Sequence, residues 1–406
     1  MNYRALFLIL FTLEHVYKLV LHVIQARSAG NPTPASVADV CDAQTYRKWR
    51  SYHGEKSRLS IWQTLVSWVL TVGLLLGGFH AWAASLFPQT VFMQLLGVIL
   101  MQTLAETLVF LGFGWADTMV IEQKYGFNKT TVRTFVIDQV RDLIIGVVLG
   151  VVLMGLLALI HTALGDWMVV LFTGVVFLLT LCISFLYGPV FSRLGNKFVP
   201  LEDGELKDKL MALLTKHGYQ VKAIEVMDAS RRTTKLNAYF TGFGKMKSIV
   251  LYDNLVSAMT PDEICAVFAH ELGHGLNKDV LKQQIMNLGN LLIMSVLVWL
   301  VVRTPAMHEA FGFSQVNYGF AFVLLGGLLG LIQPLTGMAM NAYSRHAEFR
   351  ADQQAVKEGY GEALIGGLKK LAKENFSHLS PSPALVVLEY SHPPLAQRIE
   401  AIQGKK

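Results

Sequence analysis

The 406-residue chain is 53% hydrophobic and only 16% charged, with a mean hydropathy of +0.42 and a net charge of +6. Soluble globular proteins carry about 25% charged residues, so a set of two or three water-soluble domains is excluded in favour of a chain built largely for a membrane. Its basic residues fall in particular connections and form no tract or arm, which excludes nucleic acid as a partner and makes membrane lipid the natural one.

Seven apolar segments approach the ~20 residues needed to cross the hydrocarbon layer: 4–24, 61–84, 90–113, 142–164, 167–188, 287–303 and 318–341. Glu14, His15 and Lys18 interrupt the first, and no small-residue cleavage site follows it cleanly. It therefore reads as a retained membrane helix and not as a cleaved leader. The connections 25–60, 114–141, 189–286 and 342–406 hold every Lys and Arg except Arg4, Lys18 and Arg303. The remaining connections, around Pro88, at Gly165–Asp166 and over 304–317, are short. Seven crossings with the basic segments on one side predict an outside N-terminus, an inside C-terminus and cytoplasmic lobes. The chain then divides into spans one to five with their loops (1–188), a first lobe (189–286), spans six and seven (287–341) and a second lobe (342–406). Because spans six and seven form a hairpin, both lobes emerge on one membrane face.

Within the first lobe, Leu206, Leu210, Leu213 and Leu214 share one face of a helix expected over 201–218. Short strands are expected at 221–227 and 248–252, around a turn-rich stretch 237–244. Cys41, Cys182 and Cys265 offer no convincing pairing and read as free thiols.

The stretch 260–278, TPDEICAVFAHELGHGLNK, carries the chemistry. Thr260 suits an N-cap, Pro261 the first helical position, and Glu263 closes a capping box, so a helix is predicted independently of the motif it bears. Helical spacing puts His270 and His274 one turn apart on one face, where both imidazoles reach a single zinc ion. Glu271, beside the first histidine, suits a general base acting on water, and Gly273 is expected to leave room for a substrate backbone. A third ligand is needed. Glu348, in SRHAEFRADQQA, is the leading candidate, with His346, Glu358 and His392 as competitors. Glu348 could equally be a surface carboxylate paired with Arg345 or Arg350. Asp352, one turn beyond it, could accept a hydrogen bond from a ligand histidine's second nitrogen.

These residues lie in blocks that are similar, in order, to the type I CAAX prenyl protease family of membrane zinc metallopeptidases. The blocks are VIEQKYGFNKTT (120–131), PLEDGELKDKL (200–210), KLNAYFTGFGKMKSIVLYDNL (235–255), FAHELGHGLNKD (268–279), NAYSRHAEFRAD (341–352) and YSHPPLAQRI (390–399). The resemblance implies His270, His274 and Glu348 as ligands of one Zn2+, Glu271 as catalytic base and Asp352 as the partner of a ligand. It further implies Asn237, Ala238 and Tyr239 as a substrate-backbone site and His392 as a residue that holds substrate or stabilises the transition state. The fold it implies is an all-α membrane protein, seven helices around a large water-filled chamber, with a mostly helical zincin-like domain carrying a small β element. Its substrates would be peptides or proteins, prenylated or membrane-associated. The short loop between spans six and seven resembles a compact prokaryotic member, in which inner-membrane protein quality control is an alternative task. A membrane scaffold or transporter with a vestigial motif is disfavoured by the intact Glu271, and a zinc hydrolase of non-peptide bonds by the resemblance.

Overall fold

The computed structural model describes residues 1–128, 130–187, 193, 196–219, 223–231, 236–241, 248–374 and 377–404. Helices α1 (Tyr3–Ser28), α2 (Ala43–Leu76), α3 (Phe79–Ser85) and α4 (Val91–Trp115) lead into a π-helical stretch, Ala116–Glu122, and the single turn α5 (Gln123–Tyr125). Next come α6 (Val132–Leu164), α7 (Met168–Tyr187), β1 (Phe198–Pro200), α8 (Glu205–Lys216), β2 (Ala223–Met227), β3 (Ala238–Thr241), β4 (Ser248–Tyr252), α9 (Asp253–Ala258) and α10 (Pro261–Leu276). The chain continues with α11 (Asp279–Arg303), α12 (Pro305–Glu309), α13 (Tyr318–Lys357), α14 (Gly361–Glu374), α15 (Pro383–Glu389) and α16 (Leu395–Ile402).

Among the described residues, six helical stretches are long and apolar enough to cross a membrane: α1, α2, Val91–Tyr125, Val132–Ser184, α11 and α13. The expected seven become six because segments 142–164 and 167–188 fall in one stretch. There α6 and α7 are parted only by the turn Gly165–Trp167, and residue 188 lies outside the described residues. Gly165, at φ 56, makes that abrupt turn at low steric cost. The apolar run 61–84 is also broken: α2 stops at Leu76, and Gly78, at φ 67, precedes α3. Elsewhere the helices outrun their apolar segments. α2 begins at Ala43, α6 at Val132 and α11 at Asp279, while α13 continues to Lys357. Lys, Arg, Glu and Gln are good helix formers, so hydropathy marks the lipid-matched length and not the helix ends.

Two compact units divide the chain. The first comprises Met1–Arg27, Ser51–Phe177 and Asn287–Gly337. Its core contains Phe7, Leu95, Leu157, Met168 and Phe320, all essentially inaccessible. Outward it presents Leu108 (65% exposed), Val152 and Val170, the apolar surface that lipid covers and water would not tolerate at this density. At one end, Asp166 accepts hydrogen bonds from Trp299 Nε1 (2.7 Å) and Arg303 Nη1 (2.6 Å), and His161 Nδ1 lies 2.8 Å from the Tyr318 hydroxyl. The α6–α7 turn, the end of α11 and the start of α13 therefore lie at one level.

The second unit comprises Ser28–Arg50, Leu178–Met286 and Met338–Lys406. Its sheet has the order β1-β2-β4-β3. β2 and β4 are parallel, pairing Ala223 with Ser248 through Met227 with Tyr252, and β1 and β3 flank them antiparallel. Strands β2 and β4 match the expected pair, although 221–222 lie outside the described residues. β1 and β3 were not anticipated, and residues 242–247 of the turn-rich stretch also lie outside. Leu210, Leu213 and Leu214 of α8 are buried with Ile249 and Leu251 of β4 and Ile264, Cys265 and Phe268 of α10. Residues 28–50, expected as a mere connection, contribute Val37 and Val40 to a small core with Ile365, Ala372 and Ile399. Among the described residues all three cysteines are free.

Candidate metal centre

The predicted capping box is formed. Thr260 Oγ1 accepts from the Glu263 amide (3.3 Å), and Glu263 Oε2 accepts from the Thr260 amide (2.8 Å). Because Ile264, Cys265 and Phe268 bury one side of α10 against the sheet, the helix cannot rotate without exposing them. That anchors His270 and His274, whose rings lie 4.8 Å apart and nearly perpendicular.

Helix α13 supplies the opposing wall. Its close approach depends on Gly273: a Cβ there would lie 2.9 Å from Ala351 Cα and 3.0 Å from Gln354 Cβ. The missing side chain thus lets two helices touch, correcting the expectation that it makes space for substrate. Across this contact Glu348 Oε2 lies 3.5 Å from His270 Nε2, and Glu348 Oε1 lies 3.4 Å from His274 Nε2. The three potential ligand atoms fall within 4.8 Å of one another. Each histidine's other nitrogen faces a carboxylate: His270 Nδ1 is 2.9 Å from Asp352 Oδ1, and His274 Nδ1 is 3.0 Å from Asp279 Oδ2. An ionised carboxylate only accepts, so both Nδ1 atoms carry hydrogen and both Nε2 atoms are turned toward Glu348.

The group fits a divalent cation. Glu348 is only 5% exposed, yet its Oε2 has no hydrogen-bond partner. A buried carboxylate oxygen without a donor is costly, and a cation between it and the imidazoles removes the deficit. The electrostatics agree. Burial alone would lower the pKa of His274, but hydrogen bonds to Glu348 and Asp279 raise it to about 9. The field that holds a proton on His274 is one that attracts a positive ion.

Asp352 is fully buried and is held by Arg398, through Nε to Oδ2 (2.8 Å) and Nη2 to Oδ1 (2.6 Å). Arg398 Nη1 also lies 3.3 Å from Glu348 Oε2. Neither Arg398 nor Asp279 was singled out from the sequence; a buried arginine on a short helix after two prolines carries no pattern of its own. The competitors for third ligand lie elsewhere. Glu358 accepts from Lys216 (2.7 Å) and Gln354 (2.8 Å) and faces His217 Nε2 at 2.8 Å, and His346 is exposed. His392 is adjacent, not equivalent: its Nε2 is 3.3 Å from Glu348 Oε1, and its side chain is largely exposed. Arg345 and Arg350 do not neutralise Glu348 as a surface pair would. Arg345 donates to the Val386 and Tyr390 carbonyls (2.8 and 2.7 Å), fixing the chain just before His392, and Arg350 donates to Asp279 (2.7 Å).

Glu271 is half-buried on α10 between the two histidines. Ala238 and Tyr239 open β3, the strand that ends the sheet order, and Asn237 immediately precedes it. The Asn237 carbonyl accepts from the Tyr252 amide (3.1 Å), and its side-chain oxygen accepts from the Ala238 amide (2.9 Å).

Two histidines a turn apart on a capped helix, a buried carboxylate from a second helix and a set of membrane-length helices define an integral-membrane metallopeptidase. Comparison with known proteins agrees. The profile of peptidase family M48 matches residues 200–406, and that described as CAAX prenyl protease N-terminal, five membrane helices, matches 22–197. The chain is 30% identical to CAAX prenyl protease 1 homolog of Arabidopsis thaliana, over 96% of this chain and 95% of the relative. It is 28% identical to CAAX prenyl protease 1 homolog of Homo sapiens, over 97% and 91%. The crystal structure of S. mikatae Ste24p superposes with a TM-score of 0.89 at 27% identity, covering 99% of both chains. The chain belongs to peptidase family M48, as a multi-pass membrane metalloendopeptidase.

Proposed function

We propose that the protein is a zinc-dependent endopeptidase acting on membrane-associated proteins that end in a CAAX motif, with the ion held by His270, His274 and Glu348. The observation that carries this reading is the convergence of three ligand atoms on one point, where the buried Glu348 Oε2 makes no hydrogen bond although Arg398 Nη1 lies 3.3 Å away. Bound there, zinc supplies Lewis acidity toward a peptide carbonyl and toward water. Glu271 takes the proton from the attacking water and returns it to the leaving amine. Asp352 holds the His270 ring in the ligating tautomer. Ala238 and Tyr239 on the terminal strand β3, with Asn237 just before it, pair with the substrate backbone as an added strand, and His392 donates to the carbonyl oxygen as negative charge develops on it. The CAAX assignment rests on the relatives' names and on the full-length match.

We further propose that α6 and α7 each cross the bilayer. With 33 and 20 residues they span about 50 and 30 Å. Seven crossings then place the second unit's lobes on the cytoplasmic side, in a bacterial inner membrane for a compact prokaryotic member.

The test is cleavage of a farnesylated peptide ending in CAAX, its unprenylated counterpart and an unfolded membrane protein by purified enzyme, with products identified by mass. The farnesylated peptide is expected to show the highest kcat/KM, with activity abolished by chelation and restored by zinc. Preference for the unfolded membrane protein would redirect the substrate to quality control. Cleavage indifferent to metal removal would overturn the zinc assignment.

A further inference from the structure

Asp279 lies outside the motif, five residues past His274, yet its carboxylate is 2% exposed and has three partners. Oδ2 is 3.0 Å from His274 Nδ1, and Oδ1 accepts from the Tyr343 hydroxyl (2.7 Å) and from Arg350 Nη2 (2.7 Å). The backbone is shaped to put it there. α10 ends at Leu276, Asn277 ties back to the Gly273 carbonyl through its amide (3.1 Å) and its side chain (2.8 Å), and Lys278 takes φ 56. Among the described residues Lys278 is the one non-glycine residue with positive φ. Such a conformation costs about 1 kcal/mol or more and persists where surrounding structure demands it. The demand is visible here: across this turn Asp279, the first residue of α11, comes within 3.0 Å of His274 Nδ1.

We propose that Asp279 is a positioning residue for the second histidine of the metal site, matching Asp352 on the first, and that Tyr343 and Arg350 clamp it from α13. The ring of His274 is then set by a carboxylate at the first residue of α11 that two side chains of α13 hold, so the two long helices of the hairpin bear directly on ligand geometry. This rests on the metal-site reading above and adds a residue that carries it.

The experiment is metal affinity, read by zinc competition against a chromogenic chelator on the detergent-purified full chain, with the visible spectrum of the cobalt-substituted protein as a readout of coordination. Outer carboxylates of this kind govern metal affinity by about 10–100-fold. Asp279→Ala is expected to weaken zinc by that amount and to alter the cobalt spectrum. Asp279→Asn, which keeps the acceptor and loses the charge, is expected to weaken it less. Tyr343→Phe, which frees one side of the carboxylate, should give a smaller loss still. Glu358→Gln, which disturbs an ion cluster elsewhere in the unit, should leave affinity unchanged. Should Asp279→Ala fail to fold, Asp279→Asn decides, because it preserves shape. Parent-like affinity and spectrum in folded Asp279→Asn and Tyr343→Phe would overturn the proposal while leaving the metal site standing. A parent protein whose zinc binding survives His274→Ala would instead overturn the site itself.

Discussion

Glu348 within α13 and Glu358 just past its end show how two acids with buried side chains take opposite roles. Glu348 meets two imidazole nitrogens and keeps one oxygen without a hydrogen bond, whereas Glu358 is saturated by Lys216, His217 and Gln354. Glu348→Ala should therefore lower zinc affinity by more than about 100-fold, beyond the loss expected for an outer residue; unchanged stoichiometry and affinity would exclude it as a ligand. For Glu358, burial would raise the pKa, but hydrogen bonds from Lys216 and His217 prevail and hold it below the usual carboxylate value of 4.5. Its stabilising contribution is then fully present above that value and disappears as pH falls through the lowered folded one. Glu358→Gln should cost about 1–3 kcal/mol at pH 7, with the difference from parent narrowing below about pH 4.5; thermal unfolding at both pH values checks this. The sequence could nominate both acids as ligands but could not separate them, because the distinction lies in partners from α8 that are about 140 residues away.

At the scale of elements, the site is a contact between α10 and α13 made possible by one absent side chain. Gly273→Ala introduces a Cβ against Ala351 backbone that cannot yield locally. It should cost about 1–3 kcal/mol and weaken zinc binding together with stability, whereas a substrate-clearance role would leave zinc binding intact and change only KM. The capped helix α10 was legible because its signals are local: Thr260, Pro261 and Glu263 lie within one turn. The apolar segments of membrane length were legible, their helix ends much less so. A continuous α13 from the apolar Phe320 to Asp352 has no marker where lipid stops, and Pro334 inside it does not end the helix. Nor does anything in VIEQKYGFNKTT announce the π-helical stretch ending at Glu122, where Lys56 and the Tyr52 hydroxyl bond the same carboxylate at 3.1 and 2.7 Å. Strands β1 and β3 escaped notice because three- and four-residue strands carry too little alternation to stand out.

For the whole molecule, membrane topology and chemistry are linked. The contacts of Asp166 with Trp299 and Arg303 and of His161 with Tyr318 group three helix ends at one level. In spheroplasts of cells making the protein without its native cysteines, Trp167→Cys should react with an impermeant thiol reagent, and Asp203→Cys should react only after lysis. The reverse pattern would place the catalytic lobes outside. The most direct test of the account joins activity to metal in one protein: peptide cleavage and zinc content of the purified parent and of Glu271→Gln. Equal zinc is expected in both, with a loss of about 100- to 10,000-fold in kcat for the variant, as removal of a general base requires. Equal cleavage by a zinc-loaded Glu271→Gln would contradict it.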